Sequence, residues 1–450
     1  MPKLALLKGF EPEDTIAWRN GESIDCRQFL RDIAYLVEHL PDRRCVFNLC
    51  EDRYHFLVGF AAALVRDQTN LLPPSEAPQM LHDIARLYDN PYCLVDKDYH
   101  PSGLEAFRYT ENTPTSFATM PVPEFMPEQV AAVAFTSGST GVPKANPKAW
   151  GSLVIGAAMA KARFLANRRL PNAVVGTVPP QHLYGLETTV LLPIQAGFAL
   201  QSAKPFFPED VRTVLGHFSA PRILVTTPAH IRAFISEHTA LPELEFIVSA
   251  TAPLHRTLAQ QAEKMYCTEV LEIYGCTEAG SIASRRTVEG DLWHTYDGFS
   301  LFVQDDHCFV RGSALSEPVE LNDVIQLRSA YEFFLHGRAA DMVNVAGKRA
   351  SLGDLNLKLN EIEGVRDGVF FMPDEVSGAV TRLIAFVVAP GLSKQEILDE
   401  LRQSIDPVFL PRPIYLVDAL PRTPVGKLPR ARLQDFAARL AAHRNTAESA

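Results

Sequence analysis

Apolar and polar positions along the chain fall into blocks of different period. Arg222-Ile223-Leu224-Val225-Thr226 is a short apolar run of strand type. Thr227 can cap a helix that opens with Pro228, the favoured first helical position. Leu244 to Ser249 reads as the next strand, a second helix starts near Pro253, and Glu269 to Tyr274 is a third strand. This alternation predicts a parallel sheet covered by helices. Ligands of such sheets sit at the carboxyl ends of strands, here residues 249–253 and 274–278. From about 299 to 336 the segments shorten and alternate, as in Ser300–Val303 and Val324–Leu327, which predicts antiparallel strands. After Arg338 the pattern changes again. Val369–Met372, Leu383–Ala389 and Ile414–Val417 read as strands, and Ser393-Lys394-Gln395-Glu396 is a capping box opening a helix. The expected fold is α/β. A large N-terminal domain, residues 1–338, has parallel sheets covered by helices plus a β-rich subdomain. A small α+β domain, residues 339–450, follows a boundary near 338–341.

The longest apolar stretch, Phe56 to Val65, is ten residues. A membrane span needs about 20, so this segment reads as a buried helix. The first eight residues hold too short an apolar core for a secretory signal. The formal net charge is −10, which argues against general nucleic-acid binding, because neutralising phosphates needs a basic face. Seven scattered cysteines without a Cys-x-x-Cys pair fit reduced thiols in a cytoplasmic compartment. None of the 13 histidines sits in a His-Glu-x-x-His pattern, so nothing points to zinc.

The segment Thr136-Ser137-Gly138-Ser139-Thr140-Gly141-Val142-Pro143-Lys144 follows a strand-like run, Val130 to Ala134. It holds four hydroxyls, two glycines and a lysine. Glycines let backbone N–H groups turn inward, hydroxyls add donors and lysine adds charge, so the loop suits a polyphosphate. It is not a Walker A loop, and no Gly-x-Gly of a dinucleotide fingerprint occurs in the chain. A Ser/Gly surface linker is the bland alternative, and such linkers usually lack the Pro-Lys end.

Thr136 to Lys144 resembles the phosphate loop of the adenylate-forming superfamily, which includes acyl- and aryl-CoA synthetases, nonribosomal adenylation domains and luciferase. Further segments resemble the family in the expected order. Pro179 to Gly185 is similar to the segment bordering the acyl pocket; His182 matches its histidine and Tyr184 a tyrosine of hydroxycinnamate ligases. Ser249-Ala250-Thr251-Ala252-Pro253-Leu254 resembles the adenine-contacting loop, with Ala250 where glycine is usual, which narrows the expected pocket. Tyr274-Gly275-Cys276-Thr277-Glu278 resembles the Tyr-Gly-x-Thr-Glu signature. By that resemblance Tyr274 flanks the adenine, Thr277 meets the α-phosphate and Glu278 holds Mg²⁺. Asp323 matches the ribose-binding aspartate, although the preceding Thr-Gly is missing. Gly337 to Asp341 resembles the hinge, with Arg338 reaching the ribose and Asp341 as pivot. Met342 to Arg349 matches the loop lining the thiol tunnel, while the downstream Glu-Ile-Glu is replaced by Asp354-Leu355-Asn356. Pro421 to Arg430 resembles the end motif whose lysine, here Lys427, bridges the substrate carboxylate and the α-phosphate.

The resemblance implies a two-step acid–thiol ligase using ATP and Mg²⁺. A carboxylate attacks the α-phosphorus to give an acyl-adenylate and pyrophosphate; a thiol of CoA or an acyl carrier protein then displaces AMP. Lys427 lies on the small domain, so closure must assemble the site. His182 and Tyr184 suggest an aromatic acid such as a hydroxybenzoate or hydroxycinnamate, with Tyr184, Thr188, Ala250, Gly275 and Ile282 as pocket walls. The compact length is similar to ligases that load carrier proteins in aryl polyene or xanthomonadin-type pathways. A fatty or 3-hydroxy acid, and a catalytically silent nucleotide-binding scaffold, are the alternatives; a P-loop kinase or ATPase lacks its Walker motif.

Overall fold

The computed structural model describes residues 2–98, 103–110, 114, 116–137, 143–338, 342–345, 348–373, 382–423 and 428–447. The expected strands form over Arg222–Thr226, Phe246–Ser249 and Glu269–Cys276, and pair in parallel. Ala173–Gly176 and Ala199–Gln201 extend this parallel set on the other side. The complete sheet has eleven strands. Beyond Glu269–Cys276 its pairing turns antiparallel, because the chain folds back directly into Gly280–Arg286 instead of entering a helix.

Two helix starts differ in detail from the sequence expectation. Thr227 does stand at the N-cap of Pro228–Ser236, but its hydroxyl bonds His230 Nδ1 at 2.9 Å and makes no cap bond. The second helix begins at Arg256, not near Pro253, and His255 supplies its cap. Thr251, in the loop between strand and helix, has a φ of +78°. A β-branched residue is rarely found in that left-handed region.

A second sheet of six strands is parallel except for one hairpin, Val130–Ser137 with Pro143–Ala149. The apolar 56–65 stretch forms the helix Arg53–Val65, in which every residue from Arg53 to Leu64 is buried. It packs against strands of both sheets, so a helix apolar all round has apolar surroundings all round. The short segments after 299 form the expected antiparallel strands, including Phe299–Gln304 and Asp323–Leu327.

The last hundred residues carry separate cores, with Leu355, Phe370, Val387 and Ile397 in one and Phe371, Phe386 and Leu433 in another. Strands Asp367–Phe371, Ile384–Val388 and Ile414–Leu416 form one sheet. Ser393 and Glu396 make the expected capping box of helix Lys394–Ser404. The unusual Asn356 on helix Leu352–Glu361 accepts the N–H of Phe370 at 2.5 Å, so this departure from the family pattern ties helix to sheet. Among the described residues no helix is long and apolar enough to cross a membrane.

Candidate active site

The parallel register sets one edge of the large sheet. Gly176 is opposite Val225, Thr226 opposite Ser249, and Ser249 opposite Glu272. The segments leaving this edge are those that sequence singled out. Thr136 and Lys144 face each other as Cα partners at the top of the second sheet's hairpin. Gly138, Ser139, Thr140 and Gly141 lie outside the described residues, as do Asp341 and Lys427. Ser137 and Arg338 are placed as strand positions, Ser137 opposite Pro143 and Arg338 opposite Asp323.

Tyr274 and Asp323 come together from distant parts of the chain. The tyrosine hydroxyl donates to Asp323 Oδ2 at 2.7 Å. Burial, then the Asp323 charge, pushes the phenol far above its ordinary range, so it stays a donor at neutral pH. The ring is held by Trp293 and Phe333, with centroids 5.7 and 5.5 Å away.

Thr277 and Glu278 stand at the tip of the hairpin between Glu269–Cys276 and Gly280–Arg286. Gly275 makes that tip tight: a Cβ there would meet the Gly280 carbonyl oxygen at 2.2 Å. A larger residue at Gly275 would therefore displace hairpin backbone before it narrowed any pocket.

Tyr184 belongs to a helical turn that begins after His182, which is half-buried at the N-cap. Gly185 lets this turn lie on Pro179, since a Cβ would come within 2.1 Å of the proline carbonyl oxygen. The Tyr184 hydroxyl points at the carbonyls of Thr226 and Val248, at 3.1 and 3.2 Å. Its ring keeps some open surface, whereas Thr188 is 2% exposed, Ala250 6% and Ile282 0%. The turn continues as a π-helical segment, Glu187–Leu191, where the Thr188 hydroxyl is returned to the Tyr184 carbonyl at 2.6 Å.

Three charged residues at this edge gave no sequence signal. Glu272 is buried, and its carboxylate accepts from the Leu254 N–H at 2.7 Å, Arg285 Nε at 2.7 Å and the Thr287 hydroxyl at 3.0 Å. It thereby anchors the end of the Ala250–Leu254 loop, which holds Thr251, Ala252 and Pro253. Lys148 is 7% exposed and donates to the Glu278 carbonyl oxygen at 2.6 Å. Glu187 accepts from the N–H and the hydroxyl of Ser281, at 3.1 and 2.5 Å. Each reads in sequence as a surface charge, and only the sheet order shows otherwise.

Residues 48–301 match the family described as AMP-binding enzyme, and residues 359–427 match the AMP-binding enzyme C-terminal domain. The chain belongs to the AMP-binding enzyme family. It is an adenylate-forming enzyme of the acid–thiol ligase class. A 4-coumarate–CoA ligase of Rhodobacter capsulatus is 29% identical over 341 residues, spanning 73% of this chain and 84% of that protein. A 3-hydroxybenzoate–CoA/4-hydroxybenzoate–CoA ligase of Thauera aromatica is 25% identical over 365 residues, covering 71% and 68%. Among solved structures, the o-succinylbenzoate CoA synthetase of Bacillus subtilis with its acyl-adenylate superposes with a TM-score of 0.80 at 15% identity, covering 94% of this chain and 96% of that one. An anthranilate CoA ligase with anthranoyl-AMP gives 0.78 at 17% identity, covering 96% and 95%. These likenesses bear out the α/β fold class.

Proposed function

We propose that this enzyme activates an aromatic carboxylic acid with ATP and transfers the acyl group to a phosphopantetheine thiol, of CoA or of a carrier protein. The observation that carries the nucleotide half is the Tyr274–Asp323 bond beside the Thr277–Glu278 tip. It brings an aromatic ring and a carboxylate for ribose hydroxyls together at the end of a hairpin whose tip carries a carboxylate for a cation, Asp323 reaching it from a strand further along the same sheet. The aromatic acid is supported by Tyr184 at the strand edge and by relatives named for hydroxycinnamates and hydroxybenzoates.

The catalytic problem is electrostatic: a carboxylate must approach a polyanion. The phosphate loop from Thr136 to Lys144 would hold the β- and γ-phosphates, and Thr277 the α-phosphate. Among the described residues no group of three His, Cys, Asp or Glu is poised for a metal. One half-buried carboxylate completed by phosphate oxygens is the habit of Mg²⁺, so the site fits that ion. Bound there, Mg²⁺ would neutralise phosphate charge. Lys427 would approach from a mobile domain, residues 339–450, pivoting at Asp341 against residues 1–338. Its withdrawal would expose the adenylate to the thiol.

The test is acid-dependent ATP–pyrophosphate exchange over a panel of hydroxybenzoates, hydroxycinnamates and fatty acids, with nucleotide products resolved. Exchange with aromatic acids and release of AMP are expected. ADP, or exchange only with aliphatic acids, would overturn the reading.

A further inference from the structure

Two charges beside the signature hairpin, the buried Lys148 and the half-buried Glu187, take no part in the chemistry just described. Lys148 lies on Pro143–Ala149, the strand that leaves the phosphate loop. Glu187 opens the π-helical segment that follows Tyr184. They reach the same four residues. The lysine ammonium holds the carbonyl of Glu278 at 2.6 Å, and the carboxylate holds both the N–H and the hydroxyl of Ser281. Gly280 sits between, at φ +78°, where a Cβ would come within 2.5 Å of Glu187 Oε1. The carboxylate therefore rests against hairpin backbone.

We infer that Lys148 and Glu187 are positioning residues, a two-point clamp that sets the Thr277–Glu278 tip relative to the phosphate loop on one side and the acyl segment on the other. The inference rests on the proposed role of Glu278 and adds residues that act through it. Burial alone does not account for the pair. A buried ammonium is costly, and an apolar side chain of the same length fills the same space at no such cost. Here the lysine's retained donor closes on a backbone carbonyl, which only a donor can hold. Burial disfavours the charged form of each group, and each offsets part of that cost for the other through space. Without the clamp, a tight hairpin tip is left with its own two strands to fix a carboxylate that must meet a cation and a phosphate together. Partners of this outer kind typically change metal affinity by about 10–100-fold when removed.

The test uses the full chain in four forms: Lys148→Met, Glu187→Ala, Glu187→Gln and Glu278→Gln. Backbone amide hydrogen exchange is read over Thr277–Ser281, with thermal unfolding to show that each variant is folded. ATP affinity is measured by calorimetry with Mg²⁺ and with a chelator. Lys148→Met and Glu187→Ala should exchange faster at these amides and not elsewhere. Both should lose at least about 10-fold in Mg²⁺-dependent ATP affinity and keep their affinity for metal-free ATP. Glu187→Gln should recover most of that loss, because its amide oxygen still accepts the Ser281 N–H. Wild-type protection of Thr277–Ser281 in both Lys148→Met and Glu187→Ala overturns the clamp. So does a loss of ATP affinity that is equal with and without Mg²⁺. Glu278→Gln separates the two ideas: if it keeps wild-type Mg²⁺ dependence, the metal role itself fails, whatever the clamp variants do to amide exchange.

Discussion

The Tyr274 hydroxyl donates to Asp323 Oδ2 at 2.7 Å, across a gap of 49 residues in the chain. The bond joins a residue beside the hairpin tip to one on the strand Asp323–Leu327. In the proposed function it holds an adenine-stacking ring and a ribose-binding carboxylate in fixed relation. Tyr274→Phe keeps the packing on Trp293 and Phe333 and removes only this donor. A hydrogen bond to a charged group is worth about 1.5–3 kcal/mol. The expected outcome is a rise in KM for ATP of about 10-fold or more, with a smaller change in kcat. Steady-state pyrophosphate exchange measures both, and an unchanged KM would remove the pair from nucleotide binding.

His230 gives the structure an acid-sensitive point. Burial lowers its pKa from 6.5 to about 4, and its Nδ1 lies 2.9 Å from the Thr227 hydroxyl. The folded state therefore holds the ring neutral while the unfolded chain protonates it near pH 6.5. Its contribution to stability is complete above pH 6.5 and is lost progressively as pH falls from there to about 4. The full loss is on the order of 3 kcal/mol. His230→Gln, which cannot take the proton, should flatten that part of the profile. Thermal unfolding of both proteins from pH 4 to 8 checks this, and parallel profiles would show that another group governs acid lability.

Sequence patterning carried the parallel strands, a buried helix over the 56–65 stretch and the capping box at Ser393, because each follows from a local rule of period or cap. It assigned no element to the chain just after Cys276, where strand–helix alternation stops and a hairpin follows. A hairpin and a strand-to-helix turn both begin with an apolar strand and a glycine, and only the pairing partner tells them apart. Composition also cannot distinguish a buried lysine or glutamate from a solvated one. Lys148, Glu187 and Glu272 acquire their roles from segments 13 to 130 residues away. Near the basic end of the chain, on either side of residues 424–427, which lie outside the described residues, two arginines are tied down. Arg422 forks onto Asp367 at 2.6 and 2.7 Å, and Arg430 donates to the Met372 carbonyl at 3.0 Å.

Among the described residues, polar contacts join the N-terminal and C-terminal regions. His255 Nε2 meets Glu361 Oε1 at 2.6 Å, and Arg232 donates to the Asn360 side chain and the Arg366 carbonyl at 3.3 and 3.1 Å. If residues 339–450 swing, these bonds belong to one pose only. Arg232→Ala and Glu361→Gln should then change the two half-reactions by unequal factors, about 3–10-fold apart for roughly 1 kcal/mol of pose preference. The assays are acyl-adenylate formation and thioester formation from a supplied adenylate. Equal effects on both would show that the contact serves stability and does not select a pose.

Lys427 tests the alternation most directly. Lys427 itself lies outside the described residues; in sequence it falls between Arg422, which pairs with Asp367, and Arg430, which donates to the Met372 carbonyl. In the proposed function the lysine reaches the phosphate only when residues 339–450 close on residues 1–338. Lys427→Ala should slow acyl-adenylate formation by at least about 10²–10³-fold, the scale for one transition-state charge partner. Stability should hardly change, because Arg422, Arg430 and their acceptors are untouched. Thioester formation from supplied adenylate should proceed at the wild-type rate if, as proposed, the lysine has withdrawn by then. Asp341→Pro, which restricts the pivot's φ, should instead hold one pose and spare only one half-reaction. Single-turnover assays of each half-reaction in both variants decide the matter. If Lys427→Ala lowers adenylation and thioesterification alike, the lysine serves both steps from one position and the two-pose mechanism fails for this enzyme.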